Sequence, residues 1–291
     1  MLYLATILIW GSTWFPIKLQ VTYVKPEFSV IYRLLIASLI LFGWSWWRKM
    51  PFRYSIKDHL FMALFGLLLF AVNLSLLYAA SAYLTSGLEA IVFSTIVIMN
   101  MVNGFVFLKR KPELKLITGA CIGLIGLCMI FWNDLISFDI KTDASLGLVI
   151  CLAATFCASM GNIISVRNQK AGLSVVHANA FGMLYAAIFL IFYVLARNET
   201  FSFSFSFTYI ASLAYLALFG SVFAYGFYLT LLTRVGPERA AYANLIFPVV
   251  ALLISTFFEN YVWTARVALG IGMIFVGNAF ILLKKPASPK K

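Results

Sequence analysis

Runs of about twenty apolar residues follow one another along nearly the whole chain, parted by short polar connectors. In order they cover about 2 to 20, 28 to 47, 60 to 80, 87 to 108, 114 to 132, 145 to 166, 176 to 196, 208 to 232, 238 to 258 and 265 to 283. At a rise of about 1.5 Å per residue, each run matches a hydrocarbon layer roughly 30 Å thick. The runs are continuously apolar, whereas barrel strands alternate over about ten residues. The pattern therefore predicts an all-α integral membrane protein with ten transmembrane helices. The first run lacks a basic leader and an A-x-A-like cleavage site, so it reads as a span and not as a cleaved signal.

Composition narrows this further. Only 11% of the 291 residues are charged and 63% are hydrophobic, with a mean hydropathy of +0.97. Soluble domains carry about 25% charge, so no soluble domain fits between the runs. The net charge of +12 raises nucleic acid as a partner, but its distribution points elsewhere. With a cytoplasmic N-terminus, sixteen of the 22 basic residues fall on the inner side, among them Arg48, Lys49, Lys109, Arg110 and Lys111. Only Lys25, Lys141, Arg197 and Arg266 fall outside, while Lys18 and Arg33 lie within runs. This is the positive-inside bias with both termini cytoplasmic, so lipid and not nucleic acid is the expected partner. Cys121, Cys128, Cys151 and Cys157 lie within runs without CxxC spacing, so they read as packing residues.

The halves can be overlaid. Tyr78 to Ile98 pairs with Tyr228 to Pro248, and Gly119 and Gly126 pair with Gly270 and Gly277 after one added residue. Five runs per half is an odd number, so the second half would enter the membrane in the opposite sense. The division is 1–133 as the first five-helix repeat, 134–144 as an outer linker, 145–285 as the second repeat, and 286–291 as a basic cytoplasmic tail.

Trp10-Gly11-Ser12, Pro26 with Arg33 seven residues on, Pro248, and Glu259 after it occur in an order that resembles the EamA branch of the drug/metabolite transporter superfamily. The resemblance spans essentially the full length. It implies two inverted five-helix repeats around a central cavity, and secondary transport of small metabolites, often export of amino acids or related compounds. The first half departs from the pattern, with Ile98 where the second half has Pro248 and Lys109 where it has Glu259.

Three sets of residues are candidates for the function. Trp10, Trp14 and Lys18 recur every four residues on one face of the first helix. They either line a substrate path or are packing aromatics capped by a snorkelling lysine. Arg33 and Glu89 stand at a similar depth to Lys18. There Glu89 either couples substrate or proton binding to movement by pairing with Arg33 or Lys18, or the three form static interfacial contacts. Asn73, Tyr78, Asn100, Asn103, Asn162, His177, Asn179, Tyr225, Tyr228, Tyr242 and Asn244 are polar groups inside runs. Most are interhelical glue, and Asn73, Tyr78, Tyr225, Tyr228 and Asn244 are best placed to bind substrate. His177 is a candidate proton carrier or a plain hydrogen-bonded residue, and His59 ranks below it. Pro248 and the glycines Gly119, Gly123, Gly126, Gly270, Gly272 and Gly277 read as structural, the glycines allowing close helix approach.

Neutral donors and ring faces suit a small zwitterion or an amphipathic metabolite. With the resemblance, the expectation is a secondary transporter of a bacterial-type inner membrane that exports a small metabolite such as an amino acid by alternating access. A nucleotide-sugar or organophosphate exchanger ranks second, for want of several deep cations, and a passive channel remains a further alternative. No catalytic, metal-binding or nucleotide-binding motif is present, so neither an enzyme nor a cofactor is expected.

Overall fold

A computed structural model of the chain describes residues 1–80, 82–111, 113–139, 143–258 and 263–282, apart from some side chains within its helices. The apolar runs fold as helices because, without water, each backbone polar group must be satisfied within its own segment. In chain order these are α1 (Leu2–Val21), α2 (Pro26–Trp47), α3 (Ile56–Ala80), α4 (Gly87–Leu108), α5 (Leu114–Ile130), α6 (Ala144–Lys170), α7 (Val175–Ala196), α8 (Phe207–Val235), α9 (Ala243–Phe258) and α10 (Ala265–Leu282). A four-residue turn, Pro237–Ala240, precedes α9, and a short helix, Trp132–Ile136, follows α5. Seven helical stretches are long and apolar enough to cross a membrane, with mean hydropathy between 1.3 and 2.4. Three shorter apolar helices, Leu2–Ile17, Leu114–Ile130 and Ala265–Ala279, accompany them.

Local sequence sets several starts. Ser55, Thr85, Ser174 and Ser206 cap α3, the Ser86 turn that opens α4, α7 and α8 by accepting the backbone N–H three residues on. Pro26 stands in the first turn of α2, where its missing N–H costs nothing. Helix ends differ from the apolar runs by up to five residues.

The larger departure from the sequence reading lies inside the helices. Leu67–Val72 of α3 and Leu216–Phe223 of α8 wind as π-helix. Ile98, where the second half has Pro248, leaves a bend in the fourth run without the proline that would mark it. Yet α4 breaks at Thr95, whose hydroxyl bonds the Val92 carbonyl at 2.6 Å. The second half turns at residues 241–242 before entering α9, which runs on through Pro248.

Packing joins α1 to α8 and α9, α6 to α3 and α4, α2 to α7 and α8, α3 to α7, and α5 to α10. The α5–α10 contact is backbone on backbone. A Cβ on Gly126 would stand 2.5 Å from the Gly270 carbonyl, and one on Gly277 would stand 2.5 Å from that of Gly119. Gly123 shares this contact, its backbone nitrogen 2.9 Å from a Cβ on Gly277, while a Cβ of its own would meet Leu245 of α9. A Cβ on Gly272 meets nothing within 4 Å, so Gly272 takes no part in the close approach expected of it. Many outward residues are large and apolar, such as Leu39 and Phe192, as a lipid solvent requires. Trp44, Trp46 and Trp47 gather beside Arg48 at one end of α2, the composition of an interfacial belt.

Candidate functional site

Three helices meet at Trp10. Its indole packs against Tyr228 with ring centroids 4.9 Å apart and edge-on against Tyr225 at 5.2 Å. Tyr225 in turn meets Phe70 of α3 edge-on at 4.8 Å. The indole N–H donates to the Gly220 carbonyl at 3.4 Å. Gly220 lies in the π-helical stretch of α8, where the wider winding takes carbonyls out of the ordinary helical ladder. Two residues along α1, the Ser12 hydroxyl pairs with Tyr215 at 2.6 Å.

Below these rings lies a buried amide network. Asn162 of α6 donates to the Tyr228 hydroxyl at 3.1 Å and lies 3.5 Å from the Asn100 carbonyl oxygen. Asn100 of α4 donates to the Pro237 carbonyl at 2.9 Å, and Asn244, close to the Tyr228 hydroxyl, donates to the Ala241 carbonyl at 2.9 Å. Nearby, Asn103 donates to Ser159 at 2.8 Å and ties α4 to α6. The Asn162 carbonyl oxygen is left buried with no partner. Removing the Tyr228 hydroxyl would leave the Asn162 amide nitrogen with only its 3.5 Å contact to Asn100. Tyr228→Phe is expected to cost about 1–3 kcal/mol, read as a lower melting temperature in detergent. Tyr225→Phe, which breaks no hydrogen bond among the described residues, is the control and should melt with the wild type.

Arg33 is buried beside this cluster. Its Nε donates to Ser221 at 2.7 Å, and a Cβ built on Gly220 would stand 3.1 Å from its Nη2. Arg33 and Glu89 form no ion pair. One Glu89 carboxylate oxygen, Oε1, is buried without a hydrogen-bond partner. The side chains of Trp14 and Lys18 lie outside the described residues, as does Glu259. Asn73 donates to the Leu69 carbonyl at 3.1 Å, and its own carbonyl oxygen is buried and unpartnered.

Tyr78 lies within electrostatic reach of Arg33. It lines a cavity of about 160 Å³ between the Pro26 end of α2 and the ends of α3 and α7, with Glu27, Ser75, Tyr193 and Arg197. Arg197 is held by Tyr193 at 2.8 Å and Glu199 at 3.3 Å.

The two histidines meet a further aromatic group. His177, fully buried, packs on Phe52 and Phe181 and bonds the Tyr54 hydroxyl, while His59 bonds Tyr185 at 2.7 Å. Burial pushes the Tyr54 phenol above its ordinary value, so it stays neutral in this contact. Asp58 pairs with Arg167 at 3.5 Å close by. Among the described residues no group of three or more metal-ligating side chains occurs.

The structure thus brings together Trp10, Tyr225, Tyr228 and Asn244, sets Asn73 one turn from Phe70, places Tyr78 at the neighbouring cavity, and leaves Glu89 without an ion pair to Arg33. Sequence reasoning passed over Phe70, Gly220 and Ser221. A Gly-Ser pair within an apolar run was the available signal for the last two.

Residues 1–132 and 145–283 match the EamA-like transporter family. The chain is 28% identical over 291 residues to the uncharacterized inner membrane transporter YedA of Escherichia coli (strain K12), covering 99% of this chain and 91% of that protein. It is 24% identical to protein PagO of Salmonella typhimurium, covering 98% of this chain and 92% of PagO. It is 23% identical to the uncharacterized transporter YoaV of Bacillus subtilis, covering 93% and 91%. One crystal structure superposes with a TM-score of 0.81 at 14% identity, covering 97% of this chain and 96% of its own.

Proposed function

The chain belongs to the EamA-like transporter family, and on that footing we propose that it is a secondary active transporter, built from ten spans in two inverted repeats, that exports a small zwitterionic metabolite such as an amino acid. The observation that carries this reading is the composite site. Trp10 of α1 and Phe70 of α3 meet Tyr225 and Tyr228 of α8, above amides from α4 and α6. A site assembled from both halves changes shape whenever the halves move against one another, which is what alternating access needs.

Three observations support the inverted repeat. The family matches the chain in two separate segments. The packing pairs map onto each other when each helix is exchanged for the one five places on: α1–α8 becomes α6–α3, α1–α9 becomes α6–α4, and α2–α8 becomes α7–α3. Side-chain contacts repeat with a shift of 149 residues, which carries Phe28 to His177 and Phe52 to Phe201. Phe28 packs on Phe201 at 5.2 Å and His177 on Phe52 at 5.1 Å. The same shift relates the Tyr32–Phe203 contact to Phe181–Tyr54. The basic connectors favour cytoplasmic termini in this arrangement.

A multiply phosphorylated substrate fits less well, because Arg33 is the only buried Lys or Arg among the described residues. Glu89 is the residue we assign to proton coupling, since a buried, unpartnered carboxylate oxygen gains from carrying a proton. The test is uptake of labelled amino acids into proteoliposomes with and without a pH gradient. Wild type should concentrate at least one of them saturably, and Glu89→Gln should abolish the response to the gradient. Flux that only dissipates a substrate gradient would make the protein a channel. Unchanged pH dependence in Glu89→Gln would remove that residue from the mechanism.

A further inference from the structure

The Arg33 guanidinium offers five N–H donors, and Ser221 takes the one on Nε. No carboxylate among the described residues forms an ion pair with it. Around it lie the Ser221 hydroxyl, the Gly220 backbone and, within electrostatic reach, the Tyr78 and Tyr225 hydroxyls; Glu27 and Glu89 also reach the Tyr78 hydroxyl, but neither bonds the guanidinium. A buried cation with no carboxylate bonded to it is costly to keep. It is retained most economically where a mobile anion supplies the charge. The position of Arg33 tells which part of a ligand that anion is. Gly220 lies beside the guanidinium, with only room for about a Cβ between them, while its carbonyl accepts from the Trp10 indole. The cation therefore borders the aromatic cluster directly.

We propose that Arg33 is the receptor for a carboxylate on the transported compound, whose apolar or aromatic body lies on Trp10 and Tyr225. The fork of a guanidinium matches a carboxylate with two parallel hydrogen bonds, and Ser221 holds the fork in orientation through Nε. The inference deepens the transporter reading and rests on it for the term transported. Binding can be measured without flux.

The test is equilibrium binding to the purified full-length protein in detergent, with three probes. Phenylalanine carries both charges, 3-phenylpropionate lacks the amine, and phenylethylamine lacks the carboxylate. Wild type should bind the two carboxylates at least tenfold more tightly than phenylethylamine. Arg33→Gln should weaken both carboxylates at least tenfold and leave phenylethylamine within twofold, and Arg33→Lys should recover part of the loss. Ser221→Ala, which keeps the cation, should weaken the carboxylates about threefold, and it carries the test if Arg33→Gln does not fold. Equal binding of phenylethylamine, carboxylate binding unchanged in Arg33→Gln, or no carboxylate binding by folded wild type would overturn the proposal. Probes bound as expected but never moved across proteoliposomes would leave the Arg33 site standing and overturn the transporter reading. Flux that ignores the carboxylate would do the reverse.

Discussion

Valine in place of Gly66 is expected to leave no folded, monodisperse protein in a detergent extract. Gly66 ends the regular turn of α3 just before the π-helical stretch, and a Cβ there would collide with the carbonyl oxygen of Gly182 in α7. The obstacle is backbone, so no side-chain rotation relieves it. Gly182 cannot yield either, since a Cβ on it would stand 2.7 Å from Phe65 and α7 is packed on α2 as well. Ordinary overpacking costs about 1–3 kcal/mol, and a clash that parts two helices along their contact costs more. Even Gly66→Ala should lower the melting temperature clearly. Gly43→Ala is the control: nothing lies within 4 Å of that position, and alanine favours a helix over glycine by about 1 kcal/mol. Fluorescence-detected size exclusion with thermal challenge reads all three variants. A monodisperse Gly66→Val protein would mean that α3 and α7 do not touch as described.

The same contact carries a functional contrast. Shifting Arg33 by 149 residues lands on Gly182. In one half glycine lets α7 and α3 meet backbone to backbone, while in the other Arg33 holds its long side chain against the π-helical stretch of α8. The two halves thus differ where the candidate site needs charge.

The second large effect is expected at Trp10. Trp10→Ala should reduce saturable flux in proteoliposomes about a hundredfold while leaving the amount of folded protein near wild type. The ring supplies contact surface to Tyr225 and Tyr228 together, and its N–H fixes it to Gly220, so truncation empties the place where an apolar body would rest. Trp10 is only half-buried, so its loss should weigh less on stability than on transport. Trp10→Phe keeps a ring and drops the hydrogen bond, and should retain at least a tenth of the wild-type flux. Wild-type flux in Trp10→Ala would move the substrate path away from this cluster, toward the cavity that Tyr78 lines.

Much was legible in the sequence. The ten apolar runs each correspond to a helix, because in lipid a continuous apolar stretch has no other way to satisfy its backbone. The glycine spacing of the fifth and tenth runs foreshadowed the α5–α10 contact, since only residues without a Cβ allow that approach. The motif order announced the family. What the sequence could not supply is which way each helix turns and what it meets. Lipid is as apolar as a protein core, so hydrophobicity does not mark the buried face of a membrane helix as it does in water. Arg33 and Glu89, read as possible partners from their depth alone, are set apart by the tertiary structure, which gives Arg33 to Ser221. Tyr78 and Tyr228, aligned with one another in the overlay, lie in different surroundings, one beside a cavity and the other in the amide network. The π-helical stretches left no mark in composition, because the widened turn is set by what packs against it. Sequence determined the helices and their solvent; helix rotation and pairing, and with them the site, were decided only when the two halves packed together.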